Sequence, residues 1–190
     1  MKYSEIYPDQ FLSERFKQKA ESVANLSLDY ENPVIDVDKI ISLFDINVRE
    51  EYEGEFSGVI RQLEDDQYEM VINPFDSEQR KRFTKAHELG HFLLEDNIDT
   101  DYHRQTINLS EYSEIKRKSE TKANFFAAQL IMPLQLIKKL ITDWVEKKHG
   151  GDWEFNDADL EEMITSLSQS LDVSYSAMRV KLSSLGIIDV

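Results

Sequence analysis

A nine-residue stretch near the middle of the chain places the strongest constraint on the fold. From Ala86 to Leu94 the only polar side chains are His87, Glu88 and His91. A helix that is apolar on nearly all sides belongs inside a core, and an ionisable group buried there needs a partner. His87 and His91 are one helical turn apart, so both imidazoles project from the same face. The sequence therefore predicts a buried helix with a polar cluster along one face.

The spacing of the two histidines is that of a metal site. Two imidazole nitrogens at this separation can hold one ion, at about 2.0–2.1 Å in the case of zinc. Glu88 lies about 100° around the helix from His87, where it can take a proton from an activated water molecule and pass it to a leaving amine. This His-Glu-x-x-His arrangement predicts a zinc peptidase. The alternative is a pair of core histidines that backbone carbonyl groups satisfy.

A catalytic zinc ion needs a third protein ligand and one open position. The chain contains no cysteine, so the third ligand is His103, His149 or a carboxylate. The strongest carboxylate candidate is Glu120, which precedes a stripe of small apolar residues that would pack against the first helix. Its alternative role is that of a helix N-terminal glutamate interacting with the helix dipole. Asn124, one turn further on, can accept the N–H of a ligand histidine and select its tautomer, or else faces solvent.

Periodicity along the chain predicts an α+β fold. Runs at 46–48, 56–63 and 68–73 predict a small three-stranded antiparallel sheet. The remainder is predicted to be mostly helical, with helices over 77–95, 113–132, 134–148, 157–171 and 175–185. We expect residues 1–151 to form one domain and residues 152–190 to form a C-terminal helix-turn-helix-like element packed on it.

Composition excludes several classes of protein. The absence of cysteine excludes a disulfide framework and a cysteine nucleophile. The N-terminus has no apolar segment typical of a signal peptide, and no apolar run approaches the roughly 18 residues that cross a bilayer. We therefore expect a cytoplasmic protein with no membrane partner. The net charge of −15 argues against direct nucleic-acid binding and favours a basic partner.

Two separate segments make the resemblance to a known family specific. The first is Arg-Phe-Thr-Lys-Ala-His-Glu-Leu-Gly-His at residues 82–91. The second is Glu120-x-x-Ala123-Asn124-x-Phe126-Ala127-Ala128-x-Leu130-Ile131-Met132-Pro133. Together they resemble the ImmA/IrrE family of zinc-dependent endopeptidases. The predicted sheet and the last two helices also resemble this family, so the likeness extends over roughly residues 35–190.

The resemblance implies a zincin-like metallopeptidase core. It implies a Zn²⁺ cofactor bound by His87, His91 and Glu120 in a gluzincin-like arrangement, and Glu88 as the catalytic base. It also implies a protein substrate, a helix-turn-helix repressor of the XRE type that is often encoded nearby. Cleavage of such a repressor releases phage, mobile-element or stress genes.

Two further parts of a peptidase site are expected. A strand edge beside the active helix pairs with extended substrate, and either 56–63 or 68–73 is suited to this role. A donor for the tetrahedral oxyanion is also expected. Tyr102 and His103, in a polar segment after the active helix, are the candidates, and the alternative for that segment is a solvated loop.

Two other functions remain open on sequence alone. A non-catalytic adaptor would bind the repressor and displace it without cutting. A DNA-binding regulator is suggested by the last two helices, which resemble a helix-turn-helix around 171–174. Residues 154–190 carry seven acidic and two basic side chains, a balance that phosphate would repel, so we favour a packing or substrate-docking role for them.

Overall fold

The computed structural model describes residues 1–63, 67–94, 114–149 and 156–189. The strands are β1 (Ile46–Glu50), β2 (Gly58–Gln62) and β3 (Tyr68–Ile72). The helices are α1 (Asp9–Phe16), α2 (Ala20–Ala24), α3 (Val37–Ile41), α4 (Glu78–Leu94), α5 (Glu114–Ile131), α6 (Leu134–His149), α7 (Asp157–Ser170) and α8 (Tyr175–Ser184). The predicted α+β class is confirmed. Helices α4 to α8 begin and end within one residue of their predicted limits.

The sheet has the strand order β1–β3–β2. β2 pairs with β3 antiparallel, as predicted, but β1 pairs with β3 parallel, so the prediction of a wholly antiparallel sheet is wrong. Residues 51–57 carry the chain past the end of β3, which places β1 and β2 on opposite sides of it. β3 is central because residues 70–72 are fully buried, and a strand buried on both faces belongs in the middle of a sheet.

Helices α4 and α5 lie side by side and approach each other closely at Gly90. A Cβ atom at this position would lie 3.2 Å from the Cα of Ala123 and 3.0 Å from a ring carbon of Phe126. Ala123 and Ala127 are both buried, as expected for the small stripe on α5. The two backbones therefore come close enough for polar side chains of one helix to meet those of the other.

The N-terminal segment holds α5 in place. The Tyr7 hydroxyl donates a hydrogen bond to the Leu130 carbonyl oxygen at 2.5 Å. The ring of Phe11 stacks on that of Phe126, with centroids 6.1 Å apart. These contacts lie at the C-terminal half of α5 and fix the helix that carries Glu120.

Arg82 connects α4 to the segment between α7 and α8. Its Nη2 donates to the carbonyl oxygens of Leu171 at 2.5 Å and Asp172 at 2.9 Å. The Asp172 carboxylate accepts a further hydrogen bond from the Gln79 side chain at 3.0 Å. Buried side chains of α7 and α8 belong to the same apolar cluster as those of α4 and α5. The division of the chain near residue 151 stays a prediction.

Within the described ranges, no single helix is both long and apolar enough to cross a membrane. One bent pair, Lys116–Ile131 with Leu134–Lys148, meets the length and composition requirement when both helices are counted together. Both helices of this pair contribute side chains to the apolar core.

Candidate metal centre

The polar triplet lies on a buried stretch of α4. Ser77 directly precedes the helix, and its hydroxyl accepts the backbone N–H of Arg80 at 3.3 Å, which caps the first turn. About three turns further on, His87 and Glu88 are fully buried and His91 is 1% exposed. The burial predicted from the apolar sequence around them is confirmed.

Three side chains direct their ligand atoms to one point. The Nε2 atoms of His87 and His91 are 3.0 Å apart. One carboxylate oxygen of Glu120 lies 3.3 Å from His87 Nε2, and the other lies 3.3 Å from His91 Nε2. One ligand atom from each residue falls in a group within 4.8 Å. The close approach of α4 and α5 at Gly90 is what brings the carboxylate to the histidines.

This geometry fits a tetrahedral metal ion. Ligand atoms at the usual zinc distance are about 3.3 Å apart in tetrahedral coordination. The two Nε2 atoms are 3.0 Å apart, and each lies 3.3 Å from a different oxygen of Glu120. Two imidazoles and one carboxylate form a ligand set that catalytic zinc sites use. The donor set and its spacing are therefore suited to zinc.

The second ring nitrogen of each histidine also has a polar neighbour. His87 Nδ1 lies 3.0 Å from Asn124 Oδ1, the contact that the sequence analysis expects of Asn124. Because an amide oxygen only accepts, this contact selects the tautomer with the proton on Nδ1 and leaves the Nε2 lone pair for a metal. His91 Nδ1 lies 3.3 Å from Ser119 Oγ. Sequence reasoning missed Ser119, because no spacing rule connects two residues 28 positions apart.

The environment of Glu120 keeps its carboxylate ionised. Burial by itself would raise the pKa of Glu120, but its interactions with the imidazoles of His87 and His91 outweigh it and hold that pKa well below its usual range. The side chain is 23% exposed, so it lies at the boundary between core and solvent. A metal ligand must be deprotonated, and this carboxylate meets that condition at neutral pH.

The Glu88 carboxylate contacts the sheet. Its Oε2 accepts the backbone N–H of Ile60 at 3.1 Å. This places the carboxylate between α4 and β2, beside the cluster and not within it, as the 100° offset from His87 predicts. The Ile60 contact fixes the orientation of the carboxylate.

The strand edge next to the cluster belongs to β2. Because β3 pairs with a strand on each side, the suggestion that 68–73 pairs with substrate is wrong. The N–H of Asn73 donates to the Ser57 carbonyl oxygen at 2.9 Å, and that of Leu63 donates to the Gln67 carbonyl oxygen at 2.7 Å. Backbone groups alternate in direction along an antiparallel pair, so the even-numbered residues of β2 present their N–H and C=O groups away from β3 and toward α4.

Some of the predicted residues cannot be placed. Tyr102 and His103, the expected oxyanion donors, lie outside the described residues. The side chains of His103 and His149, the alternative third ligands, lie outside them as well. Their roles stay predictions.

Comparison with known proteins agrees with this arrangement. The sequence profile of the IrrE N-terminal-like domain, a peptidase family, matches residues 42–183. A segment of 75 residues is 37% identical to the radiation response metalloprotease IrrE of Deinococcus deserti. That segment is 38% of this chain and 25% of the relative, so the match spans about a quarter of the relative's length.

Proposed function

This chain belongs to the peptidase family of IrrE N-terminal-like domains, and from that premise we propose that it is a zinc-dependent endopeptidase. The observation that carries the proposal is the convergence of His87, His91 and Glu120 on one point. A zinc ion bound there would polarise a scissile carbonyl group and acidify a water molecule.

The residues around the cluster have separate tasks in this proposal. His87 and His91 bind through Nε2, with the His87 tautomer held by Asn124. Glu88 accepts the proton of the attacking water and transfers it to the amine that leaves. Its burial and its contact with the Ile60 N–H keep the carboxylate oriented before substrate binds.

The outer edge of β2 is the proposed substrate strand. An extended peptide that adds to this edge forms backbone hydrogen bonds with the even-numbered residues of β2, apart from the Ile60 N–H that Glu88 accepts. Its scissile bond then lies over α4, next to Glu88 and the histidines. Backbone pairing supplies affinity with little sequence choice, so side-chain preference has to come from neighbouring pockets.

The proposed substrate is a DNA-binding repressor of the helix-turn-helix class. The net charge of −15 favours association with the basic DNA-binding face of such a protein and disfavours DNA itself. In the described part of the C-terminal helices, Lys181 is buried and Arg179 pairs with Glu161 at 3.3 Å. This element therefore presents little unpaired positive charge, which supports a substrate-binding role over DNA recognition.

Metal analysis and a cleavage assay test the proposal. Purified wild-type protein should contain about one zinc ion per chain, retained in Glu88→Gln and lost in His87→Ala. The wild type should cleave the repressor encoded by the adjacent reading frame, and Glu88→Gln should reduce the rate by about 10²–10⁴-fold. Glu78→Gln is the matched control, because this exposed carboxylate lies on the same helix and should leave the rate unchanged.

Three outcomes would contradict parts of this proposal. A metal-free wild type would overturn the zinc site. Equal loss of repressor function with wild type and Glu88→Gln, without cleavage, would establish the adaptor instead. Association with the substrate that is independent of ionic strength would remove the argument from charge.

A further inference from the structure

A cavity of about 360 Å³ adjoins the metal cluster along α4. The phenyl ring of Phe83 forms one wall, and its centroid is 6.5 Å from that of the His87 ring. Ile131 of α5, together with Val173 and Ala177 at the start of α8, forms the rest of the apolar lining. The cavity is therefore assembled from three parts of the chain, one helical turn away from a proposed metal ligand.

The opening of the cavity is polar. Its remaining lining residues are Ser77, Gln79, Arg80 and Ser174, and all four are exposed. An apolar floor with a few polar groups at the opening is typical of a pocket that receives a side chain. Arg80 Nε also donates to Ser57 Oγ at 2.9 Å, so the opening lies next to the beginning of β2.

The direction of β2 decides which substrate residue passes this opening. Arg80 contacts Ser57, and Glu88, two turns later, contacts Ile60, so α4 and β2 advance in the same direction. Antiparallel addition is the more stable pairing per residue. A peptide added in this way runs against β2, passing first Glu88 and then Arg80. The residues that follow the scissile bond therefore lie over the cavity.

We infer that this cavity binds a large aliphatic or aromatic side chain on the residue directly after the scissile bond. The inference rests on the proposed peptidase function and adds its side-chain preference. Four apolar walls would leave a charged or polar side chain without hydrogen-bond partners. A volume of about 360 Å³ accommodates the side chain of leucine, methionine or phenylalanine. The C-terminal helices thus contribute directly to substrate choice.

Filling the cavity should change the cleavage profile. Ala177→Leu places a larger side chain within it, and Ser176→Leu is the matched control, because Ser176 is exposed and does not line the cavity. Wild type should cut a proteome-derived peptide library before large apolar residues, with sites mapped by mass spectrometry. Ala177→Leu should lower kcat/KM at those sites about tenfold or more and spare sites followed by small residues. An unchanged profile, or an apolar preference before the bond, would overturn the inference.

A binding measurement separates this inference from catalysis. Zinc-loaded Glu88→Gln protein is titrated with tetrapeptides that differ only in their first residue, which is phenylalanine, leucine, alanine or serine. The phenylalanine and leucine peptides should bind about tenfold more tightly than the serine peptide, and Ala177→Leu in the same background should remove that difference. Equal affinities would refute the cavity even if the wild type cleaves peptides. If the peptides with phenylalanine or leucine bind more tightly but the wild type cleaves no peptide, the cavity binds apolar side chains and the proposed peptidase function is refuted.

Discussion

Two clusters of ionisable side chains in this protein differ in whether they contain a permanent cation. On the sheet face opposite the core, two arginines and two glutamates form a closed network, and each arginine contacts both glutamates. These four residues are Arg49, Arg61, Glu53 and Glu69, and Glu51 also contacts Arg49. At the α4–α5 contact, two histidines and one glutamate meet instead. With neutral histidines, that second cluster has three electron-pair donors and no cation of its own.

The difference indicates what each cluster is for. The network on the sheet contains its own cations and is partly exposed, with about 30% of each arginine side chain accessible. The donor atoms at the helix contact lie about 3 Å apart with both histidines buried, so a shared proton or a bound cation has to lie between them. The first cluster contains its own cations, and the second is arranged so that its donors can share one.

Removing one donor should have the largest effect. His87→Ala deletes a donor from the cluster, so the protein should lose its zinc, and kcat/KM should fall about 10³-fold or more. A chelator should lower the Tm of the wild type, because metal that binds only the folded state stabilises it, and should leave the Tm of His87→Ala unchanged. If this variant retained one zinc ion per chain, the helix contact would not be the metal site.

Removing the hydrogen bond that orients a donor should have the next largest effect. Asn124→Ala frees the His87 ring and its tautomer, so the Kd for zinc should rise about 10–100-fold. Ser119→Ala should have a smaller effect, because its contact with His91 is longer, 3.3 Å against 3.0 Å. Competition with a chromophoric chelator measures both constants. An unchanged Kd in Asn124→Ala would show that the ring is held by packing alone.

Separating the two helices tests whether their close approach builds the cluster. Alanine is the better helix former by about 1 kcal/mol, so propensity alone predicts that Gly90→Ala stabilises the protein. The added Cβ would lie 3.2 Å from the Ala123 backbone, and overpacking costs about 1–3 kcal/mol. We expect a lower free energy of unfolding in urea, measured with chelator present, and weaker zinc binding. A more stable variant would contradict this account of the α4–α5 contact.

The smallest effect is expected from the network on the sheet. Hydrogen bonds from Arg49 and then from Arg61 hold the pKa of Glu69 below its usual range. This stabilisation is present above the usual glutamate range and is lost as the pH falls through the pKa of the folded state. Glu69→Gln should therefore lower the free energy of unfolding by about 1 kcal/mol at pH 7 and by less at acid pH. The affinity for zinc should not change. Urea unfolding at two pH values, with metal analysis, tests this, and a loss of zinc would contradict it.

Much of the α+β fold was predictable because local sequence patterns determine the limits of its helices. The limits of α4 to α8 follow from apolar periodicity and from Pro133 between α5 and α6. Helical geometry alone places His87 and His91 on one face and turns Glu88 away from them. The placement of Glu120 and Asn124 against the histidines followed from family resemblance together with the small stripe on α5. Their roles as ligand and orienting residue stay predictions.

The features that sequence missed all depend on distant contacts. The parallel pairing of β1 with β3 depends on how residues 51–57 cross the sheet. Arg82 meets Leu171 and Asp172 about 90 positions away, and no periodicity indicates this. The cavity beside the metal cluster likewise combines residues of α4, α5 and α8.

By itself, the sequence determined that one buried helix presents two histidines on one face and a glutamate beside them, because helical spacing and apolar surroundings are local properties. It also restricted the metal ligands to imidazole and carboxylate, because the chain has no cysteine. Only the tertiary structure decided which carboxylate reaches the histidines and which strand edge lies beside Glu88. It also decided that the C-terminal helices form a wall of the neighbouring cavity. Those outcomes depend on the close contact at Gly90 and on the order of the strands, which are set by packing between segments far apart in the chain.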